Sequence, residues 1–127
     1  MTSQPQPQPQ PRSLDPLTRR SRLFGSPSRT ATLVALRLLV DSYPSELADL
    51  LGVGLYSVQR VLRSLESEGV VVSRTLGNTR SVTLNPRYFA HAQLAALLWE
   101  LGSNDEDLQR ALAARRRRPR RAGKPGL

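Results

Sequence analysis

The residues best suited to chemistry lie close together in the middle of the chain. Tyr56, Ser57, Gln59, Arg60 and Arg63 fall within eight positions, and Arg74, Asn78, Thr79 and Arg80 follow in a second short stretch. None of them forms a nucleophile–base pair. All are hydrogen-bonding groups, and several match the edges of nucleobases. Arginine can fork onto guanine and glutamine onto adenine, while tyrosine can touch a thymine methyl or donate to a phosphate. The chemistry expected of this set is recognition.

Such side chains need rigid elements to present them. Val58, Val61, Leu62 and Leu65 recur at i, i+3, i+4 and i+7, the core face of a helix over about Leu55 to Glu68, with Gly69 as its stop. At 100° per residue the opposite side carries Tyr56, Arg60, Arg63 and Ser67, with Ser57, Gln59 and Ser64 on the flanks. For Arg63 and Ser64 a plain solvated helix face is the competing reading. Before this helix, Pro44 starts another that ends near Leu51-Gly52 and carries Leu47, Leu50 and Leu51 at helical spacing. Ala48, Gly52, Val58 and Val61 supply a small residue, a flexible turn and an apolar back, which a helix-turn-helix pair requires. After it, Val70 to Leu76 and Arg80 to Leu84 read as strands rich in β-branched residues, joined by Gly77-Asn78-Thr79. Arg74, Asn78, Thr79 and Arg80 then stand on the resulting wing. Wings lie on phosphates or in a minor groove, where arginine suits the negative potential. Arg74 has an alternative role, pairing across the hairpin or with Glu66 or Glu68.

Further helices flank this unit. Ser26-Pro27-Ser28 reads as a capped helix start, with the helix reaching about Asp41. Between Ala31 and Val40 only Thr32 and Arg37 are polar, so more than one side of that helix must be covered. Asn85-Pro86 ends the hairpin, and a helix follows over roughly Ala90 to Leu101, with Leu94, Leu97, Leu98 and Leu101 on one face and Ala95 and Trp99 beside them. Both helices are more apolar than one packing face needs, which points to a homodimer built through residues 31–40 and 90–101. Ser103-Asn104 is a candidate cap for a last short helix, with Asp105, Glu106 and Asp107 in its first turn.

Composition divides the chain in three. Apolar residues make up 39 % of it, below the usual share, and they crowd into roughly Leu23 to Leu112. The net charge is +9: residues 1–22 carry +3, residues 23–101 carry +1 and residues 102–127 carry +5. The expected division is a disordered Gln/Pro-rich basic tail (1–22), a domain (23–101), and a short helix with an Arg-rich tail (102–127). The alternation TSQPQPQPQPRS over residues 2–13 removes amide donors and favours extended chain. Leu17, Leu23 and Phe24 are candidates for docking on the domain. The run ARRRRPRR, Ala114 to Arg121, reads either as a solvated tail or as an arm on phosphates of any sequence. All basic residues but Lys124 are arginine, which fits bidentate recognition and equally a GC-rich coding bias.

From about Leu23 to Leu98, about 60 % of the chain, the sequence resembles the winged helix-turn-helix domain of the ArsR-like regulators of bacteria and archaea. The matching stretches are LFGSPSRTATLVALRLL, SELADLLGVGLYSVQRVLRSLESEGVVVSR, the wing LGNTR and TLNP. LFGSPSRT and NPRYFAHAQLAALL also resemble short winged-helix proteins associated with nucleotidyltransferase domains, although the chain has no room for the transferase. The resemblance implies a mainly α fold with a small β-hairpin, a third helix in the major groove and repression as the usual mode. The chain departs from the family in having no cysteine, so the metal-sensing ligands are missing. Gly54 and Leu55 replace the usual capping serine and polar residue, and Ser81 and Thr83 replace aromatic strand residues.

Scattered carboxylates, no cysteine and the single His91 give no catalytic, cofactor or metal site; His91 is expected on the surface. No run is long and apolar enough for a membrane span, and the N-terminus lacks a signal-peptide core. The expectation is a cytoplasmic, nucleoid-associated protein that binds double-stranded DNA as a homodimeric transcription regulator. Two other readings remain: an adapter module that docks a partner enzyme or complex through the flank around Trp99, and a nonspecific architectural DNA binder.

Overall fold

A computed structural model describes residues 21–117. The expected Gln/Pro tail, Leu17 and the arginines from Arg118 onward lie outside the described residues. The chain begins with α1 (Pro27–Leu39), β1 (Asp41–Ser42), α2 (Pro44–Leu51) and α3 (Leu55–Ser67). The hairpin β2 (Val71–Leu76) and β3 (Thr79–Leu84) follows, then α4 (His91–Ser103) and α5 (Glu106–Arg117).

Helix α1 starts as its sequence requires. Pro27 occupies the first turn, and the Arg29 backbone N–H donates to Ser26 Oγ at 3.1 Å. Every residue from Thr30 to Leu36 is buried within the one chain. Of the dimer surface expected along residues 31–40, residues 31–36 are thus covered by their own chain, while residues 37–39 are half-buried. The helix is apolar all round because α2, α3, α4, β1 and β3 all pack on it. Its two ends are half-buried, and Val40, which follows its last turn, is exposed.

The helix pair α2–α3 is joined by Gly52-Val53-Gly54. Gly52 takes φ +67, which a Cβ would disfavour. That turn lets the Val53 N–H reach back to the Ala48 carbonyl at 3.1 Å and closes α2. Helix α3 then buries Val58, Leu62 and Leu65, while Val61 is half-buried. Its N-cap is Gly54, with no side-chain bond, so α3 relies on packing and not on capping.

The sheet has three strands in the order β1-β3-β2, all antiparallel. Thr79, expected in the turn, pairs with Leu76 as the first residue of β3, leaving Gly77-Asn78 as a two-residue loop. Strand β1 has no counterpart in the sequence reading. Asp41 and Ser42 have little strand propensity and pair only with Thr83 and Val82. Their strand form is imposed by the short link from α1 to α2 and is reinforced where Thr83 Oγ1 donates to the Val40 carbonyl at 2.7 Å.

Helix α4 lies against α1. A Cβ on Gly102 would stand 2.7 Å from Leu38 Cδ1 and 3.0 Å from Val34 Cγ1, so the glycine permits the close approach. Helix α5 is longer than expected. Its Leu108 and Leu112 join the same core as α1 to α4. Its cap is Asp105, whose Oδ1 accepts the Leu108 N–H at 3.1 Å, one position beyond the expected Ser103-Asn104. Phe24 packs on the core, whereas Leu23 stays exposed. His91 is half-buried, not fully on the surface.

Gly102→Val is expected to cost about 1–3 kcal/mol of stability, because the added methyls meet Leu38 and Val34 in a packed crossing. Urea midpoints of the two proteins measure this; an unchanged midpoint would show that α4 does not depend on that approach.

Candidate nucleic-acid interface

Two elements present the expected residues, and they reach solvent to different degrees. On α3, Tyr56, Ser57, Arg60 and Arg63 are exposed and Gln59 is half-buried. Leu55 is also exposed at the first position of the helix. The Arg60 guanidinium lies over the Tyr56 ring at 5.9 Å, an i, i+4 stacking that steadies two long side chains on the open face. Arg60 and Arg63 have no acidic partner among the described residues. On the wing, Arg74, Asn78 and Thr79 are exposed.

Arg80 is placed differently from the expectation. Its Nη2 donates to Glu66 Oε1 at 2.8 Å, and Ser73 Oγ donates to Glu66 Oε2 at 2.7 Å. The cause is the strand period of two. Val82 and Leu84 are buried, so Arg80 shares their face, which looks toward α3. Ser73 sits opposite Val82 on the same face. Arg74 is one residue out of phase and stands opposite Ser81 on the other face. The carboxylate partner considered for Arg74 therefore belongs to Arg80. The alternation around Val82 carried this signal in the sequence. Glu66 thus ties the wing to the helix it accompanies.

A second clamp comes from α1 and had no signal in the local sequence. Arg29 Nη1 donates to Ser64 Oγ at 2.8 Å, and its Nη2 donates to Glu68 Oε1 at 2.9 Å. The partners are separated by 35 and 39 residues. Ser64 is therefore a structural contact and not a plain solvated face. Ser26, Ser28 and Arg29 from the α1 end meet Ser57, Arg60, Val61 and Ser64 of α3 around an open cleft of about 260 Å³. Hydroxyls and two guanidinium groups share its lining with apolar surface that includes Val61.

The arginine run also divides. Ala114 to Arg117 continue α5, and Arg115 turns back onto the acids of α2. Arg115 is therefore bound within the fold, contrary to its placement in a free arm. Arg116 is exposed. Among the described residues no cluster of His, Asp or Glu is arranged to hold a metal ion, and no helix is long and apolar enough to cross a membrane.

No family model matches the chain, and no curated protein matches it in sequence. Solved structures do. The crystal structure of a cysteine-to-serine mutant of MarR from E. coli is similar with a TM-score of 0.54 at 23 % identity, covering 87 % of each chain. The same mutant complexed with operator DNA gives 0.52 at 24 %, over 83 % of this chain and 75 % of that one. The oxidized form of MarR gives 0.53 at 23 %, over 87 % and 84 %. The fold is a winged helix-turn-helix. In these terms α2 and α3 are the helix-turn-helix pair and β2–β3 is the wing.

Glu66→Ala should release both Ser73 and Arg80 and loosen the wing. Amide exchange over Thr75 to Arg80 is expected to accelerate, with a global loss of about 1 kcal/mol for a half-exposed, charge-assisted pair. Unchanged exchange in the wing would show that the hairpin holds its place without Glu66.

Proposed function

We propose that this chain is a sequence-specific, double-stranded DNA-binding transcription regulator that works as a homodimer in the cytoplasm, on the nucleoid. The observation that carries the reading is the open face of α3. Tyr56, Ser57, Arg60 and Arg63 are exposed there, and the arginines have no acidic partner among the described residues. The neighbouring acids Glu66 and Glu68 are engaged by Arg80 and Arg29. The free guanidinium groups are thus those that a helix in a major groove needs, with Gln59 beside them for adenine. Arg74, Asn78 and Thr79 would follow on phosphates or the minor groove; Arg80 would do so only by giving up Glu66. The likeness to MarR solved with operator DNA supports the same reading.

The assignment to the ArsR-like regulators rests on the sequence motifs alone, and the structural likeness is to MarR. Without the sensor cysteines, neither likeness supplies a signal. Repression is the mode that the ArsR-like resemblance implies.

The dimer surface is proposed on α4. Leu98 faces the core, but Leu97 and Trp99 remain 43 % and 48 % exposed. The same exposed residues support the competing reading, an adapter that docks a partner enzyme. A dimer that buries Trp99 would shift its emission to the blue relative to a dilute, dissociated sample. A monomer with a quenchable Trp99 would favour the adapter.

The deciding experiment is selection of genomic fragments by the purified protein at physiological salt with excess competitor DNA. A sharp two-fold motif is the expected result. Arg60→Ala should then weaken binding to that motif by about 1–3 kcal/mol and relax one base position. Retention of all fragments alike would make the protein architectural, and no retention would move the search to protein partners.

A further inference from the structure

Arg115 stands at the start of the arginine run, yet the structure separates it from any free arm. Its Nη2 donates to Glu46 Oε2 at 2.8 Å and its Nη1 to Asp49 Oδ2 at 3.2 Å. The guanidinium side chain is 27 % exposed and that of Glu46 is 19 % exposed. Both acids belong to α2, at i and i+3, so they share one side of that helix. The other oxygen of Glu46 accepts Ser42 Oγ at 2.5 Å, and Ser42 is buried in β1. One carboxylate therefore joins β1, α2 and α5.

Helix α2 has few other polar holds. Its N-cap Tyr43 makes no side-chain capping bond. Its apolar side rests on α1 and α3, while its acidic side meets α5. A guanidinium fork that spans two carboxylates restricts orientation more than a single ion pair does. Its partly exposed setting limits what it adds to global stability. Its effect falls on where α2, and the α3 packed on it, stand relative to the C-terminal helices.

We propose that Arg115 is a positioning residue for the helix-turn-helix pair, a clasp between α5 and α2, and not a phosphate contact. The proposal rests on the DNA-binding reading given above. It assigns the arginine run two roles divided at one residue: Arg115 faces inward, and Arg116 beside it is exposed. It also gives α5 a route to the recognition helix. Anything that displaces α5 pulls on Glu46 and Asp49, and so on α2.

The test uses the full chain, with wild type, Arg115→Ala, Glu46→Gln and the double variant titrated on the selected duplex over a range of salt. A clasp predicts that each single change lowers affinity, roughly two- to thirty-fold, and that the double variant is no weaker than the worse single. It also predicts an unchanged salt slope. A phosphate contact predicts the opposite sign at Glu46: Glu46→Gln would release Arg115 and strengthen binding. It would also make Arg115→Ala reduce the salt slope by about 0.9. Either result overturns the proposal. Arg115→Lys separates the two further, since a lysine keeps the charge but not the two-carboxylate fork. Partial rescue supports the clasp, and full rescue contradicts it. Hydrogen exchange over Leu47 to Leu51 in the free protein gives a readout that needs no DNA. Faster exchange in Arg115→Ala and Glu46→Gln is expected, and unchanged exchange refutes the clasp. If wild type binds no duplex, the DNA-binding reading fails and this exchange measurement alone decides the clasp.

Discussion

The burial of α1 is the constraint on which the rest of the structure depends. A stretch of seven residues, Thr30 to Leu36, is buried without interruption, so neighbours must surround the helix on every side. Helices α2, α3 and α4 and strand β3 each supply one of those sides. Residues such as Leu33, Val34 and Leu36 gain on the order of 2 kcal/mol each by leaving water, before the entropy cost of ordering them. The polar residue in this stretch that begins it is satisfied locally: Thr30 Oγ1 donates to the Ser26 carbonyl at 2.9 Å and accepts the Phe24 N–H at 3.2 Å. That bond also draws the segment before the helix onto the domain and brings Phe24 to the core. Helix α3 therefore has a fixed floor. Its position is set by Val58, Leu62 and Leu65 against α1, and its outer face is left to the residues that cannot be buried.

Ion pairs refine what burial sets coarsely. Arg29 holds the C-terminal half of α3 to α1, Glu66 holds the wing to α3, and Arg115 holds α2 to α5. Each pair joins two elements that already touch through apolar residues. None is deeply buried, so each is worth little as a stabiliser of the folded state. Their geometric effect is larger than their energetic one. Directional polar contacts fix the orientation of one element on another more closely than apolar contacts alone do.

Much of this was legible in the sequence, for reasons that also explain what was not. Helical spacing at Val58, Leu62 and Leu65 and the capped start at Ser26-Pro27 are local signals, and local signals survive into the fold. β-branched strands around Gly77-Asn78 mark the wing, and the structure extends its second strand by one residue to Thr79. Periodicity, however, reports that a residue is covered and not by what. The apolar surfeit of α1 points to a second chain, yet its own chain covers Thr30 to Leu36. Strand β1 was invisible because Asp41 and Ser42 are strand residues only through their partners Thr83 and Val82. Arg29 and Arg115 carry no local signal, because their partners lie 35 to 69 residues away and no one-dimensional pattern encodes such a pairing. Arg80 was the exception. Its place two residues before the buried Val82 turns it toward α3.

The distribution of arginines follows from the same pairings and bears on the site. Within the nearly neutral stretch from residue 23 to residue 101, net charge says little about where a polyanion would lie. Subtracting the partnered groups says more. Arg29 and Arg80 are neutralised by Glu68 and Glu66, and Arg37 is turned inward, with its Nε on the Ala95 carbonyl and its guanidinium 5.0 Å from the Trp99 ring centre. Arg60, Arg63, Arg74 and Arg87 are left without an acidic partner among the described residues. Two of these four stand on the open face of α3 and a third on the wing beside it. A local excess of cations on one face can therefore arise in a domain of almost zero net charge, because the acids of that face are already committed to other arginines. Sequence-level charge counting cannot see this, since it weighs Glu66 against Arg60 as readily as against Arg80. The fold makes the choice, and it leaves the cationic face on the helix whose exposed side chains match nucleobase edges.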